Sequence, residues 1–150
     1  MKKQIHVTSL EETVRLAHQL AKLLTPPDVV TLEGDLGAGK TTFTQALAKG
    51  LGVERTVSSP TFTIIKQYEG TYPLNHLDVY RLENSEEDLG WDELFYGEAI
   101  SIVEWAQYIE QDLPQDRLAI RITRTGDTAR TIEFEPTGSH FIKICEAITR

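Results

Sequence analysis

The sequence has one cysteine, no apolar run of membrane-spanning length, fewer basic than acidic residues, and no internal repeat or low-complexity tract. Each absence excludes something. With Cys145 alone the chain cannot close an internal disulfide, so the fold is not expected to depend on oxidation. Cys145 lies in the apolar-patterned stretch Phe141-Ile142-Lys143-Ile144-Cys145, where a buried structural thiol is expected. The histidines, His6, His18, His76 and His140, are scattered, and no cysteine pair stands beside them at zinc-like spacing. Nothing approaches the roughly 18 apolar residues of a membrane span. Lys2 and Lys3 open the chain without an apolar run behind them, so the N-terminus does not read as a secretory signal. The 15 Lys and Arg against 23 Asp and Glu leave a formal net charge of −8. Gripping a nucleic-acid backbone takes clustered Lys and Arg, so this chain is not expected to do it alone. The balance suits a cytoplasmic protein, or one that meets a basic partner.

What is present reads as an α/β chain. At 150 residues it has the usual size of one domain, expected to span 1–150. Gln4-Ile5-His6-Val7 reads as a short edge strand. Thr8 with Glu11, or Ser9 with Glu12, has the spacing of a capping box. Leu10, Val14, Ala17, Leu20, Ala21 and Leu24 then recur at helical intervals, with Pro26-Pro27 as the stop. Val29-Val30-Thr31-Leu32 reads as a buried strand. Two further strands, 62–68 and 72–79, are joined through Glu69-Gly70. The acidic run 83–98 carries no Lys or Arg and fits a helix. Residues 99–103 read as another strand, 118–122 and 131–134 as a hairpin around Gly126-Asp127, and Ser139 as the cap of a last helix. The fold class expected is a single α/β P-loop-type domain, with a mixed, mostly parallel central sheet flanked by helices and a C-terminal β-hairpin.

The strongest signal is Gly34-Asp35-Leu36-Gly37-Ala38-Gly39-Lys40-Thr41-Thr42, which fits G-x-x-x-x-G-K-[ST] without a mismatch. Chance produces that pattern in about one chain of this length in a couple of hundred, and here it also sits between a strand and a helical stripe, Phe43, Ala46, Leu47 and Leu51. Glycines let the backbone curl so that several N–H groups face phosphate oxygens. The following helix presents its positive end to the same anion. Lys40 would reach the β- and γ-phosphates, and the Thr41 hydroxyl would ligate magnesium.

Hydrolysis needs more than a phosphate cradle: a carboxylate near the metal and a group that places water. Asp78 ends a strand where a Walker-B-type acid belongs. Glu104 ends the next apolar run, beside Trp105, and ligands gather at the carboxyl ends of strands. Each also reads as an ordinary solvated acid. Thr61, in Ser58-Ser59-Pro60-Thr61, offers a switch-type hydroxyl or is part of a polar turn. Asn75 to Asp78 has the N-x-x-D spacing of a guanine reader, but His76 stands where that motif carries Lys, so adenine is preferred. The acidic run is either a solvated face or a docking surface for a basic protein.

Together, Gly34 to Phe43, Ser59-Pro60-Thr61-Phe62, His76-Leu77-Asp78-Val79-Tyr80-Arg81 and Val103-Glu104-Trp105 resemble the TsaE family, also called YjeE. The resemblance covers about residues 29 to 105 and is weak beyond. It implies an ATPase of tRNA threonylcarbamoyladenosine (t6A) synthesis that works with TsaB and TsaD on position 37 of tRNA, meeting tRNA only through that complex. It implies ATP and Mg2+ as cofactors. By position, Lys40 and Thr41 hold phosphate and magnesium, Thr61 is the switch threonine, Asp78 the Walker-B acid and Glu104 a metal-linked catalytic acid. Trp105 receives no chemical role. Two other functions fit the bare residues: a small-molecule kinase, for which Arg55 and Arg81 are the candidate phosphate arginines, and a nucleotide-gated binding module that hardly hydrolyses.

Overall fold

The computed structural model describes residues 2–34, 38–55, 57, 65–80 and 90–148. Asp35, Leu36, Gly37, Thr61 and Arg81, the strand residues expected at 62–64 and the acidic stretch 83–89 lie outside the described residues.

Seven strands form one sheet: β1 (Lys3–Val7), β2 (Val29–Gly34), β3 (Ile65–Tyr68), β4 (Leu74–Asp78), β5 (Ile100–Glu104), β6 (Arg117–Arg124) and β7 (Arg130–Thr137). Their spatial order is β1-β7-β6-β2-β5-β4-β3. The centre, β6-β2-β5-β4, is parallel, and the pairs at both margins are antiparallel. All five residues of β5 are buried, as befits a central strand covered on both faces. The expected hairpin is present and longer than the apolar pattern suggested, since β6 and β7 pair from Arg117–Thr137 to Arg124–Arg130.

Helix α1 (Leu10–Ala21) begins at Ser9, whose hydroxyl accepts the Glu12 N–H at 3.2 Å. Glu12 reaches back and accepts from the Thr8 N–H at 3.2 Å and the Thr8 hydroxyl at 2.6 Å. Those bonds from Thr8 hold the Glu12 carboxyl below its ordinary range. Of the two possible boxes, Ser9 with Glu12 is therefore the one used, its return bond falling one residue ahead of the cap. The helix closes at Ala21, before Pro26-Pro27, in a turn in which Leu23 N–H donates to the Leu20 carbonyl. Leu24 is buried all the same, from the turn rather than from the helix.

One face of the sheet packs Val30, Leu32, Leu74, Ile100 and Ile102 with α1 and with Phe43 and Leu47 of α2 (Lys40–Gly50). The other packs Val29, Leu77 and Val103 against Trp91 and Phe95 of α3 (Trp91–Phe95) and against the 3-10 segment Ala106–Asp112. The last helix, α4 (Ser139–Ala147), is present, but its cap is Gly138 and not Ser139. Gly138 has a φ of 96°, and a Cβ there would stand 2.4 Å from the Asp116 carboxyl carbon. Only glycine fits beside that carboxylate, so the cap position falls there and Ser139 becomes the first helical residue. Cys145 is fully buried, and burial pushes its thiol up. Among the described residues no helix is long and apolar enough to cross a membrane.

Candidate nucleotide site

Residues flanking the phosphate loop are shaped by one close approach and one left-handed backbone turn. Gly34 ends β2 beside β6, and a Cβ on it would stand 2.7 Å from the Ile122 carbonyl oxygen. Gly39, at φ 104°, is the N-cap of α2 and provides no side-chain cap. The first-turn N–H groups of α2 are thereby left open to an anion. Thr41 is exposed on that first turn, and Thr42 is half-buried. Lys40 places its Nζ 5.2 Å from the centroid of the Trp105 ring.

Arg130 is a contributor that the sequence reading missed. Its Nε donates to the Ala38 carbonyl at 2.8 Å, while Nη1 donates to the carbonyls of Ala129 at 2.8 Å, Gly126 at 3.1 Å and Asp127 at 3.3 Å. One guanidinium thus ties the hairpin turn to the rim of the phosphate loop. Nothing local marks it, because its partner lies 92 residues earlier.

The acidic side comes from strand register. Glu104 pairs with Leu32 of β2 on one side and with Asp78 of β4 on the other. Residues two apart on a strand share a face, so His76, Asp78 and Glu104 lie on the α2 face of the sheet. Asp78 Oδ1 accepts the Tyr80 N–H at 3.1 Å, and the Val79 N–H donates to the Glu104 carbonyl at 3.2 Å. His76 Nε2 and Glu104 Oε2 are 2.8 Å apart, with both side chains buried. Burial raises the Asp78 carboxyl above its ordinary range. The Tyr80 N–H pulls it down, the Glu104 carboxylate raises it further, and His76 and Lys40 lower it again.

A stability prediction follows from that raised carboxyl. A group that binds its proton more tightly folded than unfolded makes the protein less stable as pH rises from its unfolded to its folded pKa. At neutral pH the ionised Asp78 is therefore a small burden on the nucleotide-free fold. Asp78→Asn keeps an oxygen for the Tyr80 N–H and removes the charge. It is expected to raise the melting temperature in the absence of nucleotide by about 1–2 °C, and this difference is expected to vanish at low pH. Scanning calorimetry at both pH values checks it; a lower melting temperature at neutral pH would sink the idea.

Beside these groups Trp105, at φ 63°, turns the chain out of β5. Its ring meets Tyr80 edge-on with centroids 4.8 Å apart and stacks on Tyr108 at 5.9 Å. A cavity of about 310 Å³ opens between Gly34, Lys40, Trp105, Gln107 and Arg121. A second, of about 230 Å³, lies between Leu10, Thr13, Gly39, Thr42 and Arg130. Of the residues expected at the site, Gly34, Ala38, Gly39, Lys40, Thr41 and Thr42 stand around the start of α2, with Asp78 and Glu104 side by side on adjacent strands.

A profile of the family described as threonylcarbamoyl adenosine biosynthesis protein TsaE matches residues 7–132. The chain belongs to the TsaE family. The Bacillus subtilis tRNA threonylcarbamoyladenosine biosynthesis protein TsaE is 55% identical over 141 residues, covering 93% of this chain and 89% of that protein. The Treponema pallidum protein of the same name is 38% identical, covering 83% and 93%. The crystal structure of Bacillus subtilis YdiB superposes with a TM-score of 0.85 at 46% identity, over 99% of this chain and 94% of that one. Membership of the TsaE family accounts for the strand–loop–helix frame and carries nucleotide binding with it. It also covers most of the C-terminal third, where sequence motifs gave little: the TsaE match runs through β6 and into β7.

Magnesium, expected from the sequence, finds donors of the right kind. Asp78 and Glu104 bring two carboxylates together and Thr41 adds a hydroxyl, all of them oxygen ligands. Among the described residues no three His, Cys, Asp or Glu side chains converge.

Proposed function

We propose that the protein binds ATP and hydrolyses it with Mg2+, and that this supports t6A modification at position 37 of tRNA by acting on a TsaB–TsaD complex. The carrying observation is the register Leu32–Glu104–Asp78, which sets two carboxylates beside the strand that leads into the phosphate loop. In this reading the backbone of 34–42 and the Lys40 ammonium hold the phosphates. Thr41, Asp78 and Glu104 are the metal ligands. Glu104 also orients the attacking water, and Thr61 contributes its hydroxyl. Magnesium, when bound, neutralises charge on the β- and γ-phosphates.

Adenine is favoured over guanine by Asn75. It is buried, its Oδ1 accepts from Gln67 Nε2 at 3.1 Å, and it lies on the sheet face opposite Asp78. The cavity between Leu10, Gly39, Thr42 and Arg130 is the place we assign to the nucleoside. The relatives' names support the tRNA pathway. A charge of −8 suits a subunit that leaves tRNA contact to its partners.

Magnesium-dependent phosphate release by the purified protein, alone and with TsaB and TsaD, tests this. The expected result is slow turnover alone and a rise of at least tenfold with both partners, about the 1.4 kcal/mol of one decade. ATP binding without any hydrolysis under either condition would leave a nucleotide-gated binding module instead.

A further inference from the structure

His76 is buried, with 3% of its side-chain surface exposed, and it has no part in the metal and phosphate contacts proposed above. Its Nε2 lies 2.8 Å from Glu104 Oε2, and its Nδ1 is buried without a hydrogen-bond partner among the described residues. An unpaired buried ring nitrogen costs stability, of order 1–3 kcal/mol. A leucine or phenylalanine would fill the same interior position without that cost, so the imidazole is there for its one bond. With Glu104 ionised, Nε2–H donates and the carboxylate accepts. The glutamate is thereby held at one oxygen by a buried ring whose backbone is fixed between β3 and β5, through the register pairs Lys66–His76 and His76–Ile102. That bond uses one carboxylate oxygen, Oε2.

We infer that His76 is a positioning residue for hydrolysis: it fixes the Glu104 carboxylate in the rotamer that serves the phosphate end of the nucleotide, and it does so from behind, without touching nucleotide or metal. The inference rests on the ATPase reading above. Asp78 shares the face but bonds Tyr80 N–H, so the two acids are steered by different donors. One is held by backbone beyond the strand end, the other by a side chain deeper in the sheet. Outer partners of this kind typically change activity by about 10- to 100-fold when removed.

The test is a double-mutant cycle in steady-state ATP hydrolysis with nucleotide affinity measured in parallel. His76→Leu is expected to lower kcat by about 10- to 100-fold with nucleotide affinity changed less than about twofold. His76→Gln places an amide N–H near the Nε2 position and is expected to recover most of the loss. His76→Asn, whose amide reaches only the Nδ1 position, is expected to behave like leucine. In a Glu104→Ala background, where the carboxylate that His76 holds is absent, His76→Leu is expected to cost less than about twofold more. Equal fold-losses in both backgrounds, or a loss of nucleotide affinity matching the loss of kcat, would overturn the positioning role. If His76→Leu does not fold, the Gln and Asn variants carry the same comparison. A wild-type protein that hydrolyses nothing, alone or with TsaB and TsaD, overturns the ATPase reading itself, an outcome distinct from an active wild type with an additive cycle.

Discussion

Lys40→Ala is expected to weaken ATP and ADP binding by about 10- to 100-fold, the worth of a hydrogen bond between charged groups, while the fold survives. The lysine stands at the first position of α2, where the loop's last glycine turns the chain into the helix. Its Nζ lies 5.2 Å from the centroid of the Trp105 ring. A cation over an exposed aromatic face contributes roughly 0.5–1 kcal/mol. For a chain of this size that is about 1–4 °C of melting temperature. Titration calorimetry with ADP beside a thermal melt separates the two quantities. Unchanged affinity would remove the phosphate-loop reading, whatever the fold does. The ring contact gives a second readout: phosphate draws the ammonium away from Trp105, so indole fluorescence is expected to respond to ADP in wild type and not in the alanine variant.

Phe43→Ala is expected to do the reverse. Three residues further along the same helix, Phe43 is fully buried in the cluster that joins α2 to the sheet and to α1. Truncating a buried phenylalanine costs about 3–5 kcal/mol, against a total stability of roughly 5–15 kcal/mol for a domain. Urea unfolding followed by far-UV circular dichroism should show the midpoint fall sharply, while molecules that remain folded keep their nucleotide affinity once corrected for the unfolded fraction. A loss below about 1.5 kcal/mol would mean that the helix carrying the phosphate loop is anchored elsewhere.

These two residues mark what a sequence discloses. Lys40 is legible because its partners are local: strand, glycines and helix follow one another, and the pattern of types is the mechanism. The Ser9–Glu12 box and the Val29–Leu32 strand are legible for the same reason. Ser139 is not the cap because the neighbour of Gly138, the Asp116 carboxylate, comes from the turn just before β6. The end of α1 was placed too late because Leu24 continues the apolar period after the helix has turned away. Sheet order was invisible, since β5 enters between β2 and β4 by a long crossover and β1 pairs with β7 from the other end of the chain. Asp78 and Glu104 were found as strand-terminal acids. His76, two residues from one of them, carries no local signal of a role, because its bond to Glu104 exists only in the β4–β5 register.

The bond from Arg130 to the Ala38 carbonyl has a consequence for how the molecule is made. The phosphate loop leaves the ribosome early, yet the guanidinium that steadies it follows 92 residues later. The strand packed beside Gly34 is β6, which is also late. A nascent chain that has completed β2, α2 and even β5 still lacks the wall on one side of the loop. Capture of nucleotide is therefore expected to be among the last events of synthesis, and chains stalled before the hairpin are expected to emerge unable to retain ATP.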